Sequence, residues 1–255
     1  AMLDNSQKYH LLLHGTTIHG SQRLDPKRRL EPTGYYHSSG PVGQMFSVFA
    51  KTHESANIAV VGLGTGALAC KGTPRQNFTF FEIDPLVEVI ARNPDLFTFL
   101  RDCPPQIKVI LGDARISLAK EPAHHYQLFV LDAFSSDVIP VHLLTREAVQ
   151  LYLSKLEDDG ILFFHISNRY MDLVPVLGRL GLSLGLVALV RDDVYATASE
   201  QEDGKTPSRW LLMARRRDLV AEFLSDPRWK LLDGRSAGDL WTDDYSNILR
   251  VVHWR

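Results

Sequence analysis

The feature that most constrains this chain is an alternation. Apolar runs of strand length recur at residues 57–61, 77–83, 107–111, 127–131 and 161–166, and helix-like stretches separate them. Pro85–Arg92 follows Asp84, a suitable N-cap, with proline at the first helical position. Residues 114–119 form a shorter candidate. Residues 145–156 set Val149, Tyr152, Leu153 and Leu156 on one face, with Thr145 as cap. Near-continuous apolar strands between helices require a mostly parallel sheet covered on both faces. The pattern continues as a helix over 173–184, a strand over 185–191 and a strand over 210–214. A long polar loop, 192–208, joins the last two, and loops of that length in compact domains are commonly lids or binding loops. Ahead of this core, residues 9–14, Gly15 and residues 16–24 read as a β-hairpin. We therefore expect a small β segment over 1–40 and an α/β domain over 41–255.

Composition narrows the function classes. At 255 residues a chain buries roughly 75% of its unfolded surface and needs no metal or disulfide to build a core. The 28 basic and 30 acidic residues leave a net charge of -2. That balance argues against a nucleic-acid binder driven by phosphate neutralisation and against a polybasic membrane-surface protein. Two cysteines are too few for a disulfide framework, so a reducing, cytoplasmic setting is expected. The most apolar tract, 173–190, carries Pro175 and Arg179 and reads as a buried helix followed by a strand.

The strongest local signal is Ala59-Val60-Val61-Gly62-Leu63-Gly64-Thr65-Gly66-Ala67-Leu68. A buried strand runs into three alternating glycines and then a helix, whose first N–H groups would face a ligand. Glu82 and Asp84 close the next strand, where an acid can bind ribose hydroxyls; Asp84 is taken as a helix cap and Glu82 as the ribose acid. The third strand ends in Leu111-Gly112-Asp113-Ala114, where Asp113 either accepts from an exocyclic amine such as adenine's or caps a helix. This spacing suits an S-adenosylmethionine-type nucleoside better than a dinucleotide.

The fourth strand leads into Asp132-Ala133-Phe134-Ser135-Ser136-Asp137. A carboxylate at that strand end can orient a cationic amine and take its proton during attack on a sulfonium carbon, or it can cap a loop. Among the ten histidines, His124-His125 has no partner at metal-ligand spacing, His165 is either a ligand-facing or a core residue, and no Ser-His-Asp arrangement stands out.

Taken in order, Leu12 to Thr17, Tyr35-Tyr36-His37, the glycine loop, Phe81-Glu82-Ile83-Asp84, Gly112-Asp113-Ala114, the Asp132 loop, Phe164-His165-Ile166-Ser167-Asn168-Arg169 and Thr242 to Asn247 resemble the spermidine synthase (polyamine aminopropyltransferase) family. The likeness is greatest to a divergent bacterial branch often fused to a membrane-transporter-like region. The resemblance implies a Rossmann-like methyltransferase core with a mostly parallel seven-stranded sheet and a small N-terminal hairpin. It implies transfer of an aminopropyl group from decarboxylated S-adenosylmethionine to an amine such as putrescine, with release of methylthioadenosine. Asp132 would be catalytic. Gly62, Gly64, Thr65, Gly66, Glu82, Asp113, Ala114 and Gln22 would bind the donor, and Tyr36, His37, Ser135, Asp137 and Tyr245 the acceptor. No metal, nucleic acid or membrane contact by this chain is implied, and a homodimer is.

The chain departs from the family pattern at Thr65, where the family carries an Asp that binds the donor's amine, and at Ser135, where a second Asp is usual. The family's substrate loop is replaced by residues 196–208, whose Glu200, Glu202 and Asp203 either attract a polyamine or form a solvated surface. Thr65 keeps open a methyltransferase using intact S-adenosylmethionine, and the altered loop keeps open a non-catalytic nucleoside or polyamine sensor.

Overall fold

A computed structural model describes residues 2–3, 8–14, 17–133, 140–168, 170–233 and 238–252. In chain order the elements are β1 (Met2–Leu3), β2 (Tyr9–His14), β3 (Thr17–Arg23), α1 (Pro41–Phe49), β4 (Ala56–Val61), β5 (Gln76–Glu82), α2 (Pro85–Arg92), α3 (Phe99–Asp102) and β6 (Gln106–Leu111). They continue as α4 (Ala114–Lys120), β7 (Tyr126–Leu131), α5 (Arg146–Lys155), β8 (Leu156–His165), α6 (Val174–Ser183), β9 (Val187–Asp193), α7 (Ala198–Glu202), β10 (Ser208–Ala214), α8 (Ala221–Leu224) and β11 (Trp229–Leu231). The chain forms two compact units, Ala1–Ala114 with Asp193–Ser208, and Arg115–Asp192 with Arg209–Arg255.

In the first unit β4, β5 and β6 pair in parallel with β5 in the middle, so all three point their carboxyl ends the same way. Ile58, Val60, Phe78 and Phe80 are fully buried, the mark of strands covered on both faces. The sequence reading did not mark α1. Its signals are Pro41 at the first helical position and Val42, Met45, Phe46 and Phe49 at helical spacing, all buried. Phe46 stacks on Phe78 at 6.0 Å. The hairpin β2–β3 is antiparallel, as expected, and β1 adds to its edge.

In the second unit the strands follow the order β7-β8-β10-β9-β11, with β7 and β8 parallel and β8 and β10 antiparallel. Among the described residues the first unit supplies three strands of Rossmann type and the second five, the last being the three-residue β11. Phe129 stacks on Tyr152 of α5 at 4.5 Å, which buries the face the 3.6-residue period had assigned to that helix. Thr145 caps α5 and Asp84 caps α2, each through a side-chain oxygen that accepts a backbone N–H. Among the described residues no helix is long and apolar enough to cross a membrane.

Candidate active site

The glycine loop leaves β4 at the carboxyl edge of the first unit. Gly62, Gly64 and Gly66 all take positive φ. At Gly64 the reason is contact as well as conformation: a Cβ there would lie 2.4 Å from the carbonyl oxygen of His19 on β3. The helix expected after the loop is a five-residue 3-10 turn, Ala67–Lys71. It is too short to offer a helical N-terminus, and other bonds hold the loop's shape.

Those bonds converge on Glu82. One carboxylate oxygen accepts the Leu63 N–H at 2.9 Å and the other accepts the Asp84 N–H at 2.9 Å. Its backbone carbonyl accepts the Gly112 N–H at 2.8 Å. Glu82 thus ties the exits of β4, β5 and β6 together. Each carboxylate oxygen has a further lone pair with which to receive a ribose hydroxyl. Asp113, half-buried, and buried Ala114 stand at the exit of β6 on the same edge. Sequence reasoning missed Ile83, 69% exposed, and Leu111, 46% exposed, whose apolar side chains stand where strands end and polar residues are usual.

Thr65 is 2% exposed, and its buried hydroxyl has no hydrogen-bond partner among the described residues. It lies under Gly20 of β3, where a Cβ would come within 2.6 Å of that hydroxyl. Gln22 is buried and engaged on both sides of its amide. Its N–H groups donate to the Arg29 carbonyl and the Thr98 hydroxyl, and its oxygen accepts the Thr98 N–H. In this structure it fastens the hairpin to the start of α3. Tyr36 packs edge-to-face on Tyr35 and lines a cavity of about 210 Å³ with Tyr9, Leu11, Ile18, Gly20 and Ala67.

His37 turns to the segment after β9. Its Nε2 lies 3.0 Å from an Asp203 carboxylate oxygen, and its Nδ1 lies 3.0 Å from the Ser39 hydroxyl. The acids of that segment, read from sequence as a polyamine lure or a solvated surface, are for the most part already paired. Asp203 also meets Arg23 at 3.0 Å and Arg28 at 2.7 Å. Glu200 closes a capping box with Thr197, accepts the Ser39 hydroxyl and pairs with Lys205 at 3.1 Å. The His37 hydrogen bond, backed by Arg28 and Arg23, holds the Asp203 carboxyl down to about 2. The Ser39 hydroxyl, the Thr197 N–H and Lys205 hold Glu200 down to about 2.

In the second unit Asp132 stands just past the carboxyl end of β7 and is 9% exposed. Its carboxylate meets His165 Nδ1 at 2.7 Å, and His165 Nε2 meets the Ser167 hydroxyl at 2.7 Å. No Ser-His-Asp arrangement was visible in the sequence, yet the fold assembles one. Asp132 and His165 are 33 positions apart, and only the pairing of β7 with β8 aligns them. Ser135 and Asp137 lie outside the described residues. Tyr245 is 50% exposed, and its hydroxyl donates to Asp239 at 3.2 Å from a tight turn closed on Thr242. Beside it Asp243 takes both arms of Arg115 at 2.8 Å and the Thr145 hydroxyl, so turn and ion-pair chemistry accounts for it. Among the described residues no cluster of three or more His, Cys, Asp or Glu is placed to hold a metal.

The fold and the clamped strand edge define a class, the Rossmann-like methyltransferase core. The structure of a probable spermidine synthase from Corynebacterium glutamicum ATCC 13032 shares that fold with a TM-score of 0.67 at 15% identity, covering 94% of this chain and 90% of that one. A spermidine synthase from Thermotoga maritima matches with a TM-score of 0.50 at 16% identity, covering 77% of this chain and 64% of that one. More particularly, the chain is 31% identical over 110 residues to the polyamine aminopropyltransferase of Vibrio vulnificus (strain CMCP6). That stretch is 41% of this chain and only 36% of the relative's length. No family model matches the chain. Over that stretch the sequence bears out the resemblance read from motif order, and the solved structures bear out the fold.

Proposed function

We infer that the chain is an aminopropyltransferase, moving an aminopropyl group from decarboxylated S-adenosylmethionine to an amine and leaving methylthioadenosine. The observation that carries this reading is the Glu82 clamp, which sets the glycine loop, Glu82 and Asp113 on one parallel-strand edge. In open α/β sheets that edge is where nucleosides bind. The likeness to a polyamine aminopropyltransferase supplies the reaction class.

On this reading Glu82 receives the ribose hydroxyls, Asp113 the adenine amine, and the Gly62–Gly66 loop and Gln22 the donor's flank. Tyr36, His37, Ser135, Asp137 and Tyr245 are assigned to the acceptor, residues 41–255 to the catalytic domain and residues 1–40 to a small β segment. The acceptor nitrogen's lone pair attacks the carbon next to the sulfonium. The C–N bond forms as the C–S pair returns to sulfur, and the ammonium proton passes to the Asp132 carboxylate. A sulfonium is already a good leaving group, so the protein's work is orientation and proton removal. The same chemistry with a methyl group would make the chain a methyltransferase. Thr65, with its unpaired hydroxyl where the family carries an acid, is the observation that favours this second reading.

The test is mass spectrometry of the nucleoside product after incubation with decarboxylated or intact S-adenosylmethionine and mixed di- and polyamines. Methylthioadenosine with an aminopropylated amine is expected. S-adenosylhomocysteine would replace the reading with the methyltransferase. Nucleoside binding without any product would leave a sensor.

A further inference from the structure

We propose that His165, held by Ser167 and Trp210, is the residue that positions Asp132 for proton removal; the assignment rests on the aminopropyltransferase reading. The His165 and Asp132 side chains are at least nine-tenths buried, 5% and 2% exposed. A carboxylate taken out of water must be met by donors, and His165 Nδ1 at 2.7 Å is one. The network fixes which nitrogen carries the proton. The Ser167 hydroxyl oxygen already accepts the backbone N–H of Arg209 at 2.8 Å. It stands 2.7 Å from His165 Nε2 and has a hydrogen to offer that nitrogen. An ionised carboxylate only accepts, so Nδ1 carries the proton and donates to Asp132, which leaves Nε2 to accept from Ser167. Every polar atom of the imidazole is used in this arrangement.

The ring's orientation is fixed as well. Trp210, directly opposite His165 in the β8–β10 register, stacks on the imidazole with centroids 4.5 Å apart and planes 14° from parallel. The Ile166 N–H donates to the Arg209 carbonyl at 2.9 Å, locking the strand ends that carry Ser167 and Trp210. A base that must meet an amine in one direction gains from such rigidity, since a displacement of about 1 Å can lower turnover about 100-fold. His165 touches Asp132 and is assigned no contact with the reacting atoms. Its part is that of a positioning residue.

The experiment compares wild type, His165→Leu, His165→Asn, Ser167→Ala and Asp132→Asn. It reads kcat and KM for amine and donor from nucleoside product, with the Kd for methylthioadenosine measured by calorimetry. Leucine removes the donor, whereas asparagine places an amide N–H near the Nδ1 position. We expect H165L to lower kcat about 100-fold, with KM and Kd moved less than about 3-fold. H165N should recover most of the loss, and S167A should lie between H165L and wild type. A merely structural histidine would lower kcat and nucleoside affinity together, with no recovery in H165N, and that result would overturn the assignment. Unchanged turnover in H165L would overturn it too, while activity lost in D132N would leave the function reading standing. A wild type that makes no product would overturn both.

Discussion

At the scale of single residues, the site is built from groups with more than one task. Glu82 was legible as a ribose acid because an acidic residue closes the strand after a glycine loop. That both its oxygens also hold backbone N–H groups of neighbouring loops was not, because those bonds depend on how β4 and β5 lie side by side. Thr65 is the reverse case. The sequence marks it as a departure, and the structure shows what the departure leaves, a buried hydroxyl with no partner among the described residues. An unsatisfied buried hydroxyl costs about 1–3 kcal/mol. Thr65→Val keeps the shape under Gly20 and removes the cost, so the ligand-free protein should gain about 1 kcal/mol in denaturant unfolding. If the hydroxyl receives the donor, the same variant should bind S-adenosylmethionine or its decarboxylated form more weakly. A more stable variant with unchanged affinity would remove Thr65 from the donor site.

At the scale of elements, the buried strands and the caps of α2 and α5 were legible because apolar runs and capping residues act locally. The segment after β9 was not. It reads as a polar loop, yet it contains α7 and is fastened to the hairpin region by pairs between residues 161 to 180 positions apart, and no periodicity records such pairs. These pairs predict a pH dependence. Asp203 and Glu200 titrate near 2 when folded, below the ordinary carboxylate value of about 4. Their contribution is therefore present in full above about pH 4 and is lost as pH falls through about 2. Asp203→Asn should produce at pH 7 what wild type shows only in acid, faster proteolytic cutting within residues 194–207. Cutting at the wild-type rate would show that the ion pairs do not hold the segment. The His165–Asp132 pair was hidden for the same reason, since a contact set by strand pairing leaves no mark in either residue's neighbourhood.

At the scale of the whole molecule, the cysteines overturn an expectation. Two cysteines in an otherwise ordinary composition read as reduced thiols, but Cys70 and Cys103 form a disulfide with their Cα atoms 4.7 Å apart. Counting could not reveal this, because nothing local links the turn after the glycine loop to the end of α3. The bond joins two elements that already touch: a Cβ on Gly66 would meet the Leu100 side chain at 2.5 Å. It therefore braces the loop's exit as well as restraining the unfolded chain. For a separation of 33 residues, loop closure predicts a stabilisation of about 3–4 kcal/mol. Against a total stability of about 5–15 kcal/mol that is a large share. Urea unfolding with and without dithiothreitol should differ by roughly that amount, and the Cys70→Ser, Cys103→Ser double variant should match the reduced protein and no longer respond to reductant. Equal midpoints, with two free thiols found by mass, would show that the bond does not form in solution. If the difference is found, a reducing compartment would cost this chain much of its margin, and the cytoplasmic setting inferred from composition would lose its main support.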